Sequence, residues 1–150
     1  LFACHGQSII PFSALGVTSS DTTRGLRPPG LEAPVEETLT NVQDYFSFLE
    51  REGIVPDIEA RKNEIWSNAV SLAESVRGVI PEGNKESGGL LDEVANLLEA
   101  GQPVLGEFEA DYLSLPKEVL ITVMKKHQRY FPVENKASGD LLNNFVTFAN

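Results

Sequence analysis

The sequence contains very little cysteine and histidine. Cys4 is the single cysteine among 150 residues, so no disulfide can form within the chain and no cysteine-based metal site can be built. His5 and His127 are the two histidines and lie far apart in the sequence. Zinc sites combine several Cys, His or carboxylate ligands. The sequence therefore predicts no metal and no cofactor within these residues, and its cysteine usage is typical of a reducing compartment.

Long apolar runs and the common catalytic motifs are also absent. No segment approaches the roughly 20 apolar residues that a helix needs to cross a bilayer, so we expect no membrane partner. The chain has no Gly-x-Ser-x-Gly turn, no Gly-x-x-x-x-Gly-Lys loop and no Gly-x-Gly-x-x-Gly sequence. The two histidines suggest no set of nucleophile, base and orienting group. We therefore predict no catalytic residue in this chain.

Positive charge is scarce and unevenly placed. The chain has 12 basic and 22 acidic residues, for a net charge of −10. Residues 30–113 hold five of the bases and 18 of the acids, whereas the two flanks hold seven bases and four acids. The acidic total argues against a protein that coats nucleic acid, and we expect no DNA partner. The basic flanks leave two interpretations open: a solvated surface without a partner, or a basic face that binds one.

The length and the two ends of the chain indicate its organisation. A chain of 150 residues, of which 41% are hydrophobic, fits one domain with its own core. It begins Leu-Phe-Ala-Cys without a methionine and stops within the apolar run Phe-Val-Thr-Phe-Ala-Asn. We therefore expect residues 1–150 to be a single-domain fragment cut at both ends from a longer chain.

Hydrophobic periodicity predicts an α+β fold of about four helices packed on short, mostly antiparallel strands. The expected helices run from a cap at Thr38 or Thr40 to Gly53, from Pro56 to about Arg77, from Leu90 to Gly101, and from Pro116, capped by Ser114, through the basic residues that follow. The expected strands are residues 8–17, 104–108, 130–134 and 145–148, the last two as a hairpin. Residues 18–30 are expected to form a polar loop that carries Arg24 and Arg27. The positions predicted to be buried near the fourth helix are Val119, Leu120, Val123, Met124, His127 and Phe131.

The segment Val-Met-Lys-Lys-His-Gln-Arg-Tyr-Phe-Pro-Val, residues 123–133, gathers basic and aromatic residues at one point. Lys125, Lys126 and Arg129 would occupy the last turn of the fourth helix, where the helix dipole favours cations without any partner. Tyr130 beside Arg129 also suits RNA, which is bound by stacking and phosphate pairing together. For His127, a buried position and an RNA contact both stay open.

The same segment resembles a known family. Residues 115–133, followed by Leu-Leu-Asn-Asn-Phe-Val-Thr-Phe-Ala-Asn, are similar to a signature of the β subunit of bacterial-type glycyl-tRNA synthetase. Met124, Lys125, His127, Gln128, Tyr130 and Phe131 match its form Met-Lys-x-His-Gln-x-Tyr-Phe. Upstream, Ser19, Thr23, Gly25 and Arg27 match a second motif, Ser-Gly-Asn-x-Thr-x-Gly-His-Arg, while Ser20, Asp21 and Leu26 depart from it. The form Thr-Arg-Gly-Leu-Arg resembles plant organellar relatives, in which the α and β portions are fused.

The resemblance implies a glycine–tRNA ligase that joins glycine to its tRNA with ATP and Mg²⁺, at a site in the α portion. This chain would then be a noncatalytic body domain that helps to hold the tRNA acceptor arm, with a fold resembling the editing-like body domain of the phenylalanyl-tRNA synthetase β subunit. The implied partners are glycine tRNA and the α subunit or fused α portion, in a chloroplast or mitochondrion for a plant protein and otherwise in the bacterial cytoplasm. The expected tRNA contacts are Arg24, Arg27, Lys125, Lys126, His127, Arg129 and Tyr130.

The alternative function is an intersubunit or interdomain scaffold without direct tRNA contact. In that case the long acidic middle of the chain, including the helix that carries Trp66, docks against another part of the synthetase. Binding to RNA and docking through an apolar face differ in their salt dependence, because only phosphate contacts weaken steeply as salt rises.

Overall fold

The computed structural model describes residues 1–27 and 33–149, and within them it confirms an α+β architecture with four α-helices and short antiparallel strands. The chain divides into two compact units, Leu1–Pro56 and Asp57–Asn150. That all 150 residues form one body-domain fragment of a longer chain stays a prediction. No helix in the described ranges is both long and apolar enough to cross a bilayer.

The strands of the first unit form three antiparallel pairs. They are β1 (Cys4–His5) with β2 (Ser8–Ile9), β3 (Ser13–Ala14) with β4 (Val17–Thr18), and β5 (Thr22–Arg24) with β6 (Glu36–Thr38). The single strand predicted over residues 8–17 is therefore wrong. Leu15 and Gly16 have positive φ angles of 52° and 78°, and this two-residue turn reverses the chain within the predicted strand.

The loop predicted over residues 18–30 is wrong where Arg24 lies, because Arg24 ends strand β5. Its Cα partner in the pair is Glu36, twelve residues further along the chain on strand β6. Local composition shows the polar residues 18–24 but not this pairing with a second strand. Residues 28–30 of the predicted loop lie outside the described residues.

Helix α1 (Val42–Arg51) has Asn41 as its N-cap, so the predicted cap at Thr38 or Thr40 is wrong. The Asn41 side-chain oxygen accepts two first-turn backbone N–H groups at 2.8 and 3.1 Å, which satisfies donors that the helix itself cannot. The predicted stop at Gly53 is confirmed, since this residue has a φ of 71° just after the helix. The small core beside the helix consists of Leu39, Phe48 and Leu49.

The second unit is built on one four-stranded antiparallel sheet with the order β7-β9-β10-β8. Its strands are β7 (Gly78–Val79), β8 (Gln102–Glu107), β9 (Phe131–Asn135) and β10 (Leu141–Ala149). Its helices are α2 (Ile58–Ser75), α3 (Leu90–Leu97) and α4 (Lys117–Thr122), and two 3₁₀ turns span Glu82–Lys85 and Ala110–Ser114. The predicted hairpin at the C-terminal end is confirmed as β9 and β10.

One hydrophobic core joins α2, α3 and one face of this sheet. Phe131, Val133 and Val146 are each 0% exposed, which confirms the prediction that Phe131 is buried. The Phe131 ring meets Phe148 edge-on, with centroids 6.1 Å apart. At Gly78 a Cβ atom would lie 2.2 Å from Cγ1 of Val133, so glycine is required where the strands β7 and β9 approach.

The stripe predicted to be buried on α4 is mostly exposed. Val119 and Val123 are 51% and 45% exposed, His127 is also exposed, and Met124 is buried. Apolar residues do recur at helical spacing along α4. However, no element of the second unit, as far as it is described, covers this side of the helix. After Thr122 the helix also widens into a π-turn, whose i→i+5 hydrogen bonds change which residues share a face.

The start of α4 differs from its prediction in one further detail. Pro116 occupies the N-cap position, and no side chain caps the helix. Ser114, the predicted cap, donates its hydroxyl to the backbone oxygen of Asp111 at 2.7 Å and so stabilises the preceding 3₁₀ turn instead.

The core assignment can be tested with two Val→Ala changes in one sheet. Val133 is 0% exposed, so V133A should lower the free energy of unfolding by about 2–3 kcal/mol through lost burial and a residual cavity. Val104, 43% exposed on β8, is the matched control, and V104A should change stability by less than about 1 kcal/mol. Urea denaturation followed by circular dichroism measures both, and equal losses would contradict the assignment.

Candidate nucleic-acid interface

The fourth helix ends in a wide turn that carries most of the predicted contacts. The π-helical segment Val123–Gln128 follows α4 directly and contains Lys125, Lys126 and His127. π-turns are frequent at functional sites. The carbonyl end of a helix also carries partial negative charge, which favours cations in its last turn. Three side chains that can carry positive charge are therefore gathered at one helix end.

Arg129 ends this helix and is bound within the protein. It adopts the left-handed conformation, with φ 59° and ψ 36°, and its backbone N–H donates to the oxygen of Met124. Its guanidinium donates to the backbone oxygen of Lys126 and, through Nε, to Oε2 of Glu93 on α3 at 2.6 Å. Arg129 thus neutralises helix-end carbonyls and fastens this end to α3, which favours a structural role for it.

Lys125, Lys126 and His127 have no such internal partner. Lys125 is half-buried, and Lys126 and His127 are exposed. Within residues 1–27 and 33–149, none of the three side chains forms an ion pair or a hydrogen bond. Their charge is therefore available to an anion from outside the chain. The open alternative of a buried His127 is excluded by its exposure.

Tyr130 packs on an aromatic ring of the sheet. Its ring lies 4.2 Å from that of Phe145 on β10, and the two planes differ by 5°. Phe145 in turn lies over Gly106 of β8, where an added Cβ would come within 2.2 Å of its Cζ. Both rings line a cavity of about 200 Å³, here called the aromatic cavity, whose other lining residues are Phe108, Tyr112, Leu120, Val123, Met124 and Gln128.

Sequence reasoning missed Phe108, Tyr112 and Phe145 as members of this site. Alternation in the predicted strands 104–108 and 145–148 was the available signal, because it separates two strand faces. It could not show that β8 pairs with β10, which brings the two segments together across more than 30 residues of intervening chain.

Arg24 and Arg27 belong to the first unit, and the other predicted contacts belong to the second. Arg24 Nε lies 2.8 Å from Oε1 of Glu36, and both side chains are largely exposed, so this ion pair stabilises the fold little. Arg24 also lines a cavity of about 620 Å³ with the hydroxyl side chains of Thr18, Ser20, Thr22 and Thr23. Arg27 is exposed on irregular backbone.

Helix α3 presents Glu93 to Arg129, and its first turn is fastened to α2 through Asp92. Lys62 of α2 places Nζ 2.9 Å from Oδ1 of Asp92 and 2.9 Å from Oε1 of Glu59. The Gly88 N–H donates to Oδ2 of Asp92 at 2.7 Å. The hydrogen bond from Lys62, followed by that from Gly88, lowers the pKa of Asp92, while Asp92 and Glu59 raise the pKa of Lys62.

A family model described as "Glycyl-tRNA synthetase beta subunit" matches residues 1–150 of the chain. The chain belongs to this family. It is 43% identical over 150 residues to the "Glycine--tRNA ligase beta subunit" of Listeria monocytogenes serotype 4a and 40% identical over 150 residues to that of Bacillus subtilis. It is 39% identical over 152 residues to the "Glycine--tRNA ligase, chloroplastic/mitochondrial 2" of Arabidopsis thaliana. The predicted family is therefore confirmed, and it includes both bacterial and plant organellar relatives.

All 150 residues take part in these matches, but they span only a small share of each relative. The share is 20% of the Listeria subunit, 21% of the Bacillus subunit and 13% of the Arabidopsis protein. A glycyl-tRNA synthetase β subunit therefore contains much more chain than the two units described in this structure.

The lowered pKa of Asp92 predicts an acid-sensitive contribution to stability. Because the folded-state pKa lies below the ordinary value of 3.8, the carboxylate stabilises the folded state above about pH 4. This contribution is lost as the pH falls through the lowered pKa. D92N should therefore be less stable than the wild type at pH 7, and the difference should shrink in acid.

The measurement is the urea midpoint of both proteins between pH 7 and pH 2. D111N, at an exposed aspartate in the 3₁₀ turn whose side chain forms no ion pair with the described residues, is the control for the loss of one carboxylate. A difference between D92N and wild type that stays constant over this range would contradict the proposed ion pair.

Proposed function

We propose that this chain is part of a glycine–tRNA ligase, which attaches glycine to its tRNA with ATP, and that it is a noncatalytic portion that helps to hold the tRNA acceptor arm. The observation that carries the proposal is the exposed helix end with Lys125, Lys126 and His127, none of which has a partner among the described residues. The chain's membership of the glycyl-tRNA synthetase β subunit family supports the same function.

An unpaired lysine keeps its charge for an external anion even in an acidic protein. The chain as a whole has a net charge of −10 and repels RNA at long range. Arg129, at the same helix end, is bonded to backbone oxygens and to Glu93. Lys125 and Lys126 lack these bonds and so retain their charge for phosphate groups, which bind by releasing counterions.

The remaining predicted RNA contacts contribute less to this proposal than Lys125 and Lys126. Arg24 and Arg27 are proposed RNA contacts of the first unit taken by itself, and Arg24 would have to exchange Glu36 for a phosphate. Arg129 positions the helix end, and Tyr130 supports it by stacking on Phe145. We also propose that the fold resembles the editing-like body domain of the phenylalanyl-tRNA synthetase β subunit.

We propose that ATP and Mg²⁺ bind to another part of the synthetase. The proposed protein partner of this chain is the α subunit or the fused α portion. In the described part of the chain, no group of three His, Cys, Asp or Glu side chains could hold a metal ion. The sequence also lacks the glycine-rich loops that bind phosphates. A bacterial cytoplasm or a plant organelle is the proposed location, following the relatives.

A scaffold that docks against another part of the synthetase is the second candidate function. The observation in its favour is the apolar stripe formed by Leu115, Val119 and Val123, which are 47%, 51% and 45% exposed at spacings of four residues. Leu115 precedes α4, Val119 lies in it and Val123 begins the π-turn. Exposed apolar side chains grouped in this way are typical of a protein contact. A surface of this kind predicts binding that changes little with salt.

The two functions are separated by binding to a glycine tRNA acceptor-arm hairpin across a salt series. If Lys126 meets a phosphate, K126A should reduce the slope of log K against log salt by about 0.9, and K125A with K126A should reduce it further. K136A is the matched control, since Lys136 is an exposed lysine on the β9–β10 turn. Its slope should stay that of the wild type.

Two outcomes would contradict the RNA contact. One is equally poor binding of wild type and variants at low salt, and the other is an equal effect of K126A and K136A. Either result places the scaffold function first. Each variant is expected to keep its fold, because the side chains of Lys126 and Lys136 are exposed and form no hydrogen bond or ion pair with the described residues. Circular dichroism checks this.

A further inference from the structure

We propose that the aromatic cavity binds one unpaired base of the RNA whose phosphates meet Lys125 and Lys126. The inference rests on the proposed RNA contact and adds a site to it. The cavity measures about 200 Å³ and is lined by the rings of Phe108, Tyr112, Tyr130 and Phe145 and by aliphatic side chains. The experiment below distinguishes a failure of the base site from a failure of the RNA contact.

The chemistry of the cavity matches the flat face of a base. Tyr112 is 52% exposed and Tyr130 is half-buried, so both rings have surface left for stacking. One face of the Tyr130 ring stacks on Phe145, with ring centroids 4.2 Å apart, and this contact fixes the orientation of the tyrosine ring. Bases stack on such rings whatever their sequence, because every base has a π face.

Cations lie in the same turn of the chain as part of the cavity lining. Gln128 is exposed and lines the cavity with the apolar part of its side chain, since the lining surface is apolar. Lys125 and Lys126 lie between Met124 and Gln128 in the same π-turn. An apolar surface for stacking and free cations for phosphate therefore occur within one turn of the chain.

The size of the cavity selects an unpaired base. A volume of about 200 Å³ takes one ring system, whereas paired bases stay stacked inside a helix. The apolar side chain of a protein partner could fill the same space, but it would make no use of the free cations Lys125 and Lys126 in the adjoining turn. Charge complementarity with an anionic ligand therefore favours a nucleotide.

The test uses two acceptor-arm hairpins with the same stem, one blunt and one with a single-stranded 3′ extension that carries 2-aminopurine. Stacking of one base predicts that the extended hairpin binds about tenfold more tightly. The 2-aminopurine fluorescence should be quenched on binding. An abasic nucleotide in place of the inserted base should remove the advantage, and this control leaves the protein unchanged.

Two neighbouring substitutions test the same point from the protein side. Y112A should abolish the advantage of the extended hairpin, whereas L113A should keep it, because Leu113 is exposed beside Tyr112 but does not line the cavity. Equal effects of the two changes would overturn the base site. Urea denaturation confirms that both variants are folded.

The two levels of failure give different results. If both hairpins bind equally and the binding keeps its dependence on salt and on Lys126, the base site is wrong and the phosphate contact stands. If neither hairpin binds at low salt, the RNA contact fails and the base site fails with it. Loss of the extended-hairpin advantage in Y112A alone, with quenching in the wild type, supports the cavity as the base site.

Discussion

Strand β10 is hydrogen-bonded along both edges, to β8 and to β9, and the second unit depends on this pairing. Successive residues of a strand face opposite sides of its sheet. Val146 is therefore 0% exposed in the core with α2 and α3, while Phe145 stacks on Tyr130 at the aromatic cavity. One strand supplies both the core and the candidate site, and a shift of one residue in its register would exchange the two faces.

The basic helix end shows how one cluster of charge divides between stability and binding. Arg129 follows the π-turn in a left-handed conformation and is bound to a carbonyl oxygen and to Glu93. Its bond to the helix-end carbonyl is of the kind that the helix dipole favours. The side chains of Lys125 and Lys126, in the preceding turn, form no ion pair or hydrogen bond with the described residues. The structural interpretation is therefore supported for Arg129, and RNA binding by the two lysines is what we propose.

The chain belongs to the glycyl-tRNA synthetase β subunit family and spans 20% of its Listeria relative, which therefore contains much more chain. Two surfaces of the second unit are open to contact with further protein or with a ligand. The stripe of Leu115, Val119 and Val123 is an exposed apolar surface that a longer chain or a partner can cover. The aromatic cavity adjoins this stripe, since Val123 belongs to both, and together with the lysines it is the nucleotide site that we propose.

Periodicity and motifs are local properties of the chain, and they predict the family, the α+β class, the C-terminal hairpin and the burial of Phe131. They also locate the basic segment, but they place His127 among buried residues, whereas it is exposed in the structure. The internal bonds of Arg129 and the grouping of Phe108 and Phe145 with Tyr130 are visible in the folded chain alone. These contacts depend on strand pairing and helix packing between segments that are distant in the sequence. The spacing of residues along one helix or strand therefore does not predict them.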